Sequence, residues 1–158
     1  ALRLGRAIYA NNCATCHGST AQGAIGYPDL TDDAWQWGGS PEQVLQTVLH
    51  GREGVMPPWG KVLTGMGGPD ATDYVIAYLR QLSAGPVAGR SDYTAARGKT
   101  LYEGVCVACH GKDGKGDVAL GAPDLTDDAW LYGDSRQSLR TTINEGRHGV
   151  MPAHGPLI

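Results

Sequence analysis

Residues 13–17 read Cys-Ala-Thr-Cys-His, and residues 106–110 read Cys-Val-Ala-Cys-His. All four cysteines of the chain lie in these two pentads, so whatever the thiols do is done twice, each time beside a histidine. The pentads belong to a longer repeat. Residues 5–18 (GRAIYANNCATCHG) align with residues 98–111 (GKTLYEGVCVACHG) at an offset of 93, and residues 28–40 (PDLTDDAWQWGGS) align with residues 123–135 (PDLTDDAWLYGDS) at an offset of 95. The two extra residues fall in the Gly-rich stretch GKDGKGDVALGA, where a surface loop tolerates insertion. Between Pro28–Pro57 and Pro123–Pro152, 17 of 30 positions are identical. Repetition on this scale means two copies of one module. The first covers residues 1–85, the second residues 92–158, and a short Gly/Pro linker over 86–91 joins them.

Each copy reads as helical. Leu4 and Ile8, beside Gly5 and Tyr9, line a first helix that runs into the first pentad. Gly98, Leu101, Tyr102 and Val105 keep the i, i+3, i+4, i+7 spacing ahead of the second. Ser40, followed by Pro41 and Gln43, is a capping box that opens another helix. Val44, Leu45, Val48 and Leu49 form its expected buried stripe, and Gly51 stops it. The counterpart runs from Ser135 through Leu139 and Ile143 to Gly146. A third helix over residues 70–83 carries Val75, Tyr78, Leu79 and Leu82 on one face. The second copy has no such helix, because only seven residues follow Met151. Apolar residues make up 41% of the chain and Phe is absent. Modules of this size with so little to bury call for a staple, a metal or a cofactor.

Cys-x-x-Cys-His is the attachment signature of a c-type haem. Two thiols three positions apart can each add to a haem vinyl group, and the adjacent histidine then lies beneath the iron. The rival uses of paired cysteines fit less well. A zinc ribbon needs two Cys-x-x-Cys pairs about 15–20 residues apart, and these lie 93 apart. A thioredoxin-like dithiol needs a βαβ setting, which is missing. Disulfide staples, possible in an oxidising compartment, give no reason for the histidines. Two covalently bound haem c groups are therefore expected, at Cys13, Cys16 and His17 and at Cys106, Cys109 and His110.

Gly-Val-Met-Pro also occurs twice, at 54–57 and 149–152. The proline pins the local backbone and the glycine lets the chain bend, an arrangement suited to aiming one sulfur atom. Met56 and Met151 are the expected sixth iron ligands, each opposite the histidine of its own copy. A His/Met pair leaves no open coordination position and raises the reduction potential. Met66, which is not repeated, is expected to pack in a loop. Arg52 and Arg147 precede the methionines by four residues and carry the planar fork that suits a haem propionate. Trp35 and Trp130 could reach a propionate through the indole N–H or simply pack in the core. Asp32, Asp33, Asp127 and Asp128 read as turn residues. His50, His148 and His154 have no counterparts and read as surface histidines.

Taken together, the CxxCH pentads, the PDLTDDAW strings and the GR-x-GVMP segments resemble class I cytochrome c domains in tandem. More closely, GAPDLTDDAWLYG followed by GRHGVMPAH resembles the dihaem cytochrome c subunit family (CcoP, FixP) of cbb3-type cytochrome c oxidases. The resemblance implies an all-α fold of two class I cytochrome c domains, the second lacking its C-terminal helix. It implies that His17 and His110 are proximal ligands, Met56 and Met151 distal ones, and that the carbonyls of Pro28 and Pro123 orient the proximal imidazoles. It places Gly5 and Tyr9 against the last helix at Tyr78 and Leu79. If the sequence were complete, Leu101 and Tyr102 would lose their packing partner and the second domain would be the less stable. The family carries an N-terminal membrane anchor that is not in this sequence; an excised fragment or an incompletely recorded sequence would explain both this and the missing last helix.

The function so implied is one-electron transfer, from a donor cytochrome towards the catalytic subunits of a terminal oxidase, with no catalysis by the chain itself. Haem attachment and the oxidising compartment it implies place the chain outside the cytoplasm, on the periplasmic side. A formal net charge of −3 offers no basic surface for nucleic acid, and no apolar run approaches the ~20 residues of a membrane span. The alternatives are a free-standing soluble dihaem shuttle, a dihaem peroxidase, which needs an open iron position, and a haem-based gas sensor.

Overall fold

The computed structural model describes residues 2–84 and 92–157, so the expected linker over 86–91 lies outside the described residues. The chain order is α1 (Leu2–Asn12), α2 (Ala14–His17), α3 (Pro41–His50), β1 (Arg52–Met56), α4 (Gly60–Gly67), α5 (Ala71–Ala84), α6 (Asp92–Val105), α7 (Val107–His110), α8 (Arg136–Glu145) and β2 (Arg147–Met151). A single 3-10 turn comes last, at Gly155–Leu157. The fold is mostly helical but not all-α, because β1 and β2 form an antiparallel ribbon.

The helix boundaries obey local chemistry. Ser40 accepts from the Gln43 amide while the Gln43 side chain accepts from the Ser40 amide, and Pro41 stands at the first helical position of α3. Ser135 caps α8 through the Ser138 amide. Gly51 and Gly146 end these helices at φ 72° and 77°, values that side chains resist. Met66 lies on α4, a helix rather than the expected loop.

The two copies meet in a way their separate patterns do not announce. In the ribbon Arg52 lies opposite Met151, Gly54 opposite Gly149 and Met56 opposite Arg147. Each strand thus pairs with its repeat equivalent about a local two-fold, the self-complementary arrangement of a symmetric interface. The chain leaving β1 does not turn back onto α3. Its helices α4 and α5 pack on α6 and α8 instead. One cluster results: Leu63 of α4, Ala71, Val75, Ile76, Tyr78 and Leu79 of α5, Leu101 and Tyr102 of α6, Leu125, and Leu139 and Ile143 of α8.

Three expectations are corrected by this packing. The last helix takes Gly98 and Tyr102 of α6, not Gly5 and Tyr9 of α1. A Cβ on Gly98 would collide with the Tyr74 carbonyl, whereas one on Gly5 would meet nothing within 4 Å. The Tyr78 and Tyr102 rings lie 5.3 Å apart. Leu101 and Tyr102 therefore have a partner, and Tyr102 is fully buried. Finally, the α3 stripe of Val44, Leu45, Val48 and Leu49 contains no fully buried residue, and Leu45 is exposed. The helices that would have covered α3 cover α8, while the 3-10 turn packs on α3.

Polar contacts select the same pairing. On α5, Asp73 accepts from Arg136 Nε at 3.0 Å and pairs with Arg140. The buried Thr72 hydroxyl donates to Asn144 at 2.7 Å. Arg97 of α6 lies over the Tyr74 ring, 4.7 Å from its centroid.

Gly98→Ala is expected to cost about 2–3 kcal/mol, because a backbone carbonyl must move to admit the methyl group. Gly5→Ala gains up to about 1 kcal/mol of helix propensity. Chemical denaturation of the two variants checks the packing, and a costly Gly5→Ala beside a harmless Gly98→Ala would reverse it. The Asp73 carboxyl is held below the usual carboxylate range, chiefly by the Arg136 hydrogen bond. Its stabilisation is present above the unfolded value near pH ~4 and is lost as pH falls through the folded value. Asp73→Asn should cost about 1 kcal/mol at neutral pH, and the gap from the parent protein should close on acidification, as thermal melts across pH will read.

Candidate functional site

Each pentad forms a single helical turn at the end of a longer helix. α1 leads into α2, and α6 into α7, with Cys13 and Cys106 at the junctions. One thiol of each pair is half-buried (Cys13, Cys106) and the other exposed (Cys16, Cys109), and all four are unbridged. Burial, reinforced by Cys109, pushes the Cys106 thiol up to about 11. Cys13 is raised in the same way, by burial and then by Cys16. Among the described residues, no three His, Cys, Asp or Glu side chains converge on a point where a metal ion could sit.

The two histidines are buried, and both are held by the same device. His17 Nδ1 donates to the Pro28 carbonyl at 3.0 Å, and His110 Nδ1 donates to the Pro123 carbonyl at 3.2 Å. A carbonyl can only accept, so Nδ1 carries a proton, and in the neutral ring the lone pair is then on Nε2. Burial lowers the His110 pKa, with the Pro123 bond acting against it. The neutral imidazole is the form that ligates a metal.

Around the pentads the structure adds contacts beyond those expected. Tyr9 donates its hydroxyl to the Gly18 carbonyl at 2.6 Å, and Tyr102 donates to the Gly111 carbonyl at 2.7 Å, tying each helix to the turn behind its histidine. Burial raises the Tyr102 phenol. The sequence carries a signal for this, an identical Tyr four residues before each first cysteine. Arg52 donates through Nε to the Thr47 hydroxyl and lies over the Trp37 ring, 5.0 Å from its centroid. Arg147 does the same with Thr142 and with Tyr132, at 4.3 Å. Both pairs occupy equivalent repeat positions, so they too are readable.

Trp130 is half-buried against the core cluster, and Trp35 is exposed. Asp32 and Asp127 accept from the backbones of Ala34 and Ala129, which makes them turn residues. His148 Nε2 meets Glu53 at 2.8 Å across the exposed face of the ribbon. His154 Nδ1 donates to the Pro152 carbonyl, and His50 is exposed at the end of α3. Met56 and Met151 are half-buried at opposite ends of the ribbon.

These donors fit a covalently held haem. A Cys-x-x-Cys turn presents two unbridged thiols on one side, beside an imidazole whose free nitrogen is fixed in direction by its carbonyl partner. The model of the family described as cytochrome c oxidase, cbb3-type, subunit III matches residues 1–79 and 94–158. The chain belongs to that family. Relatives carrying this subunit's name are similar along almost all of it. The cbb3-type cytochrome c oxidase subunit FixP of Bradyrhizobium sp. (strain ORS 278) is 46% identical over 94% of this chain and 53% of its own. Subunit CcoP of Rubrivivax gelatinosus is 40% identical over 97% of this chain and 48% of its own. Subunit CcoP of Cereibacter sphaeroides is 40% identical over 96% and 54%. The chain thus spans about half the length of these subunit III relatives. No helix among its described residues is long and apolar enough to cross a membrane.

Proposed function

We propose that this chain is the dihaem electron-relay part of a cbb3-type oxidase subunit. It takes electrons one at a time from a donor cytochrome and passes them towards the oxidase's catalytic subunits on the periplasmic face of the membrane. The observation that carries the reading is the duplicated Cys-x-x-Cys-His turn with each Nδ1 bonded to a prolyl carbonyl.

In this reading Cys13 and Cys16 hold one haem c and Cys106 and Cys109 a second, through thioether bonds. When bound, each haem supplies a one-electron iron couple. The chain's residues position and tune it. His17 and His110 present Nε2 to iron, and the bonds to Pro28 and Pro123 keep ring and tautomer fixed and make the nitrogen more basic. Met56 and Met151 would supply sulfur ligands, and a His/Met pair raises the reduction potential. Arg52 and Arg147, held on one side by a threonine and an aromatic ring, direct their remaining N–H groups towards propionates. Trp130 packs against the core cluster, and the exposed Trp35 would offer its indole N–H to a propionate. Relatives of the whole chain are named as oxidase subunits, which favours this reading over a free-standing shuttle. A methionine in both copies speaks against a peroxidase, which needs an open iron.

The mass of the denatured protein and its pyridine haemochrome spectrum should together count two covalent haems per chain. Cys13→Ala/Cys16→Ala should leave one haem. Replacing both methionines by histidine should lower both midpoint potentials. A colourless, correctly matured protein would overturn the reading.

A further inference from the structure

We propose that each repeat grips the histidine-bearing loop of the other. Gln36 and Trp37 are positioning residues for His110, and Tyr132 is the positioning residue for His17. This rests on the haem attachment proposed above and makes each haem site depend on side chains of the opposite repeat.

Each histidine stands at the base of a short closed loop. In the first, the Gly23 amide donates to the His17 carbonyl at 2.9 Å, Ala24 bridges to Tyr27, and the Pro28 carbonyl returns to His17 Nδ1. In the second, the Gly116 amide donates to the His110 carbonyl at 2.8 Å, Asp117 bridges to Ala122, and the Pro123 carbonyl returns to His110 Nδ1. A Cβ on Gly23 or Gly116 would collide with the backbone that carries the proline carbonyl. The loop thus places the proline, and whatever fixes the loop tip two residues earlier acts on the bond to the ring.

The tips are Gly26 and Gly121, equivalent at the repeat offset of 95. Each lies against the opposite repeat. Gln36 Nε2 donates to the Gly121 carbonyl, and the Trp37 ring is so close that a Cβ on Gly121 would overlap it. Gly121 is buried there. In return the Gly26 amide donates to the Leu131 carbonyl at 2.8 Å, and a Cβ on Gly26 would come within 3.4 Å of the Tyr132 ring. Gln36 is the counterpart of Leu131, and Trp37 of Tyr132. The same grip is built on both sides of the local two-fold, with a side-chain bond on one side that leucine cannot make on the other.

The two rings have a second contact each. Arg52 lies over Trp37 at 5.0 Å, and Arg147 over Tyr132 at 4.3 Å. One aromatic side chain per repeat therefore touches the arginine of its own copy and the histidine loop of the other. Electron transfer between two irons falls steeply with their separation, and this double contact fixes the two loops relative to each other. Releasing the grip on Gly121 loosens the His110–Pro123 bond. Nε2 then becomes a weaker donor to ferric iron, and the potential at that site rises.

The test is an NMR redox titration of the dihaem protein, in which thioether protons assign each haem to its own cysteines. It is read together with exchange of the two histidine Nδ1 protons in the reduced state. Gln36→Leu installs the residue found at 131 and removes the bond to Gly121. It should raise the midpoint potential of the haem on Cys106 and Cys109. Exchange of the His110 Nδ1 proton should quicken about fivefold, the scale of one ordinary hydrogen bond, while the His17 proton stays unchanged. Trp37→Leu and Tyr132→Leu also release Arg52 and Arg147, so both potentials should move. The Nδ1 proton should respond only across the two-fold, at His110 for Trp37→Leu and at His17 for Tyr132→Leu. A lowered melting temperature with both protons unmoved makes these contacts mere glue and overturns the proposal, as does a proton response confined to the variant's own repeat. Absence of covalent haem from the parent protein, read by mass, overturns the attachment and this proposal with it.

Discussion

The antiparallel ribbon of Arg52–Met56 with Arg147–Met151 is the constraint on which the rest of the molecule depends. A strand that pairs with its repeat equivalent must run away from the helix that precedes it, so the chain beyond each methionine arrives in the other repeat. The placement of α4 and α5 on α6 and α8 and the resting of the 3-10 turn on α3 are consequences of that crossing. The turns at Gly51 and Gly146 make it possible. Each has positive φ, and each is approached so closely by the opposite strand's methionine carbonyl that a side chain would block it.

Among the described residues the buried apolar side chains gather in one cluster. Ahead of Leu63, His17 is the one described residue that is buried, and no apolar side chain reaches that state. The cluster drawn from α4, α5, α6 and α8 contains Tyr102, Leu63 and Val75, the largest fully buried side chains. Burial of a large apolar side chain contributes about 1.5–3 kcal/mol, so the hydrophobic contribution to stability is concentrated in that cluster. The first repeat carries the capping box of α3, the Tyr9–Gly18 and His17–Pro28 bonds, and the crossing segment whose His154 amide meets Val48.

Much of this was legible in the sequence because it is local. The pentads, the repeat, the Ser40 capping box and the glycine stops need only neighbouring residues. The bonds of His17 and His110 to Pro28 and Pro123 came from resemblance, and the tyrosine anchors could have been read from their repeated spacing. The pairing of repeats was not legible in the same way. GR-x-GVMP is nearly identical in both copies, so nothing within it distinguishes its own helix from the other copy's. The first-helix faces around Gly5 and Gly98 look alike as well. Only residues distant in sequence separate the two pairings, and their meaning depends on a helix register that the sequence leaves open.

Those distant residues show how a duplicated module can become a single body. Two identical copies would have no reason to prefer exchange over folding back, because every contact would be available either way. The preference arises where the copies have diverged. Arg136 and Arg140 stand where α3 has Pro41 and Leu45, and Asn144 stands where it has Leu49. Arg97, which lies over Tyr74, replaces Leu4. Each difference gives α5 a partner on the second repeat that the first cannot offer, and Asp73 and Thr72 are the groups that need one. The ribbon alone is too short to hold the halves together. It sets the register in which Asp73 and Thr72 meet Arg136, Arg140 and Asn144, and the apolar cluster packs beside those polar contacts.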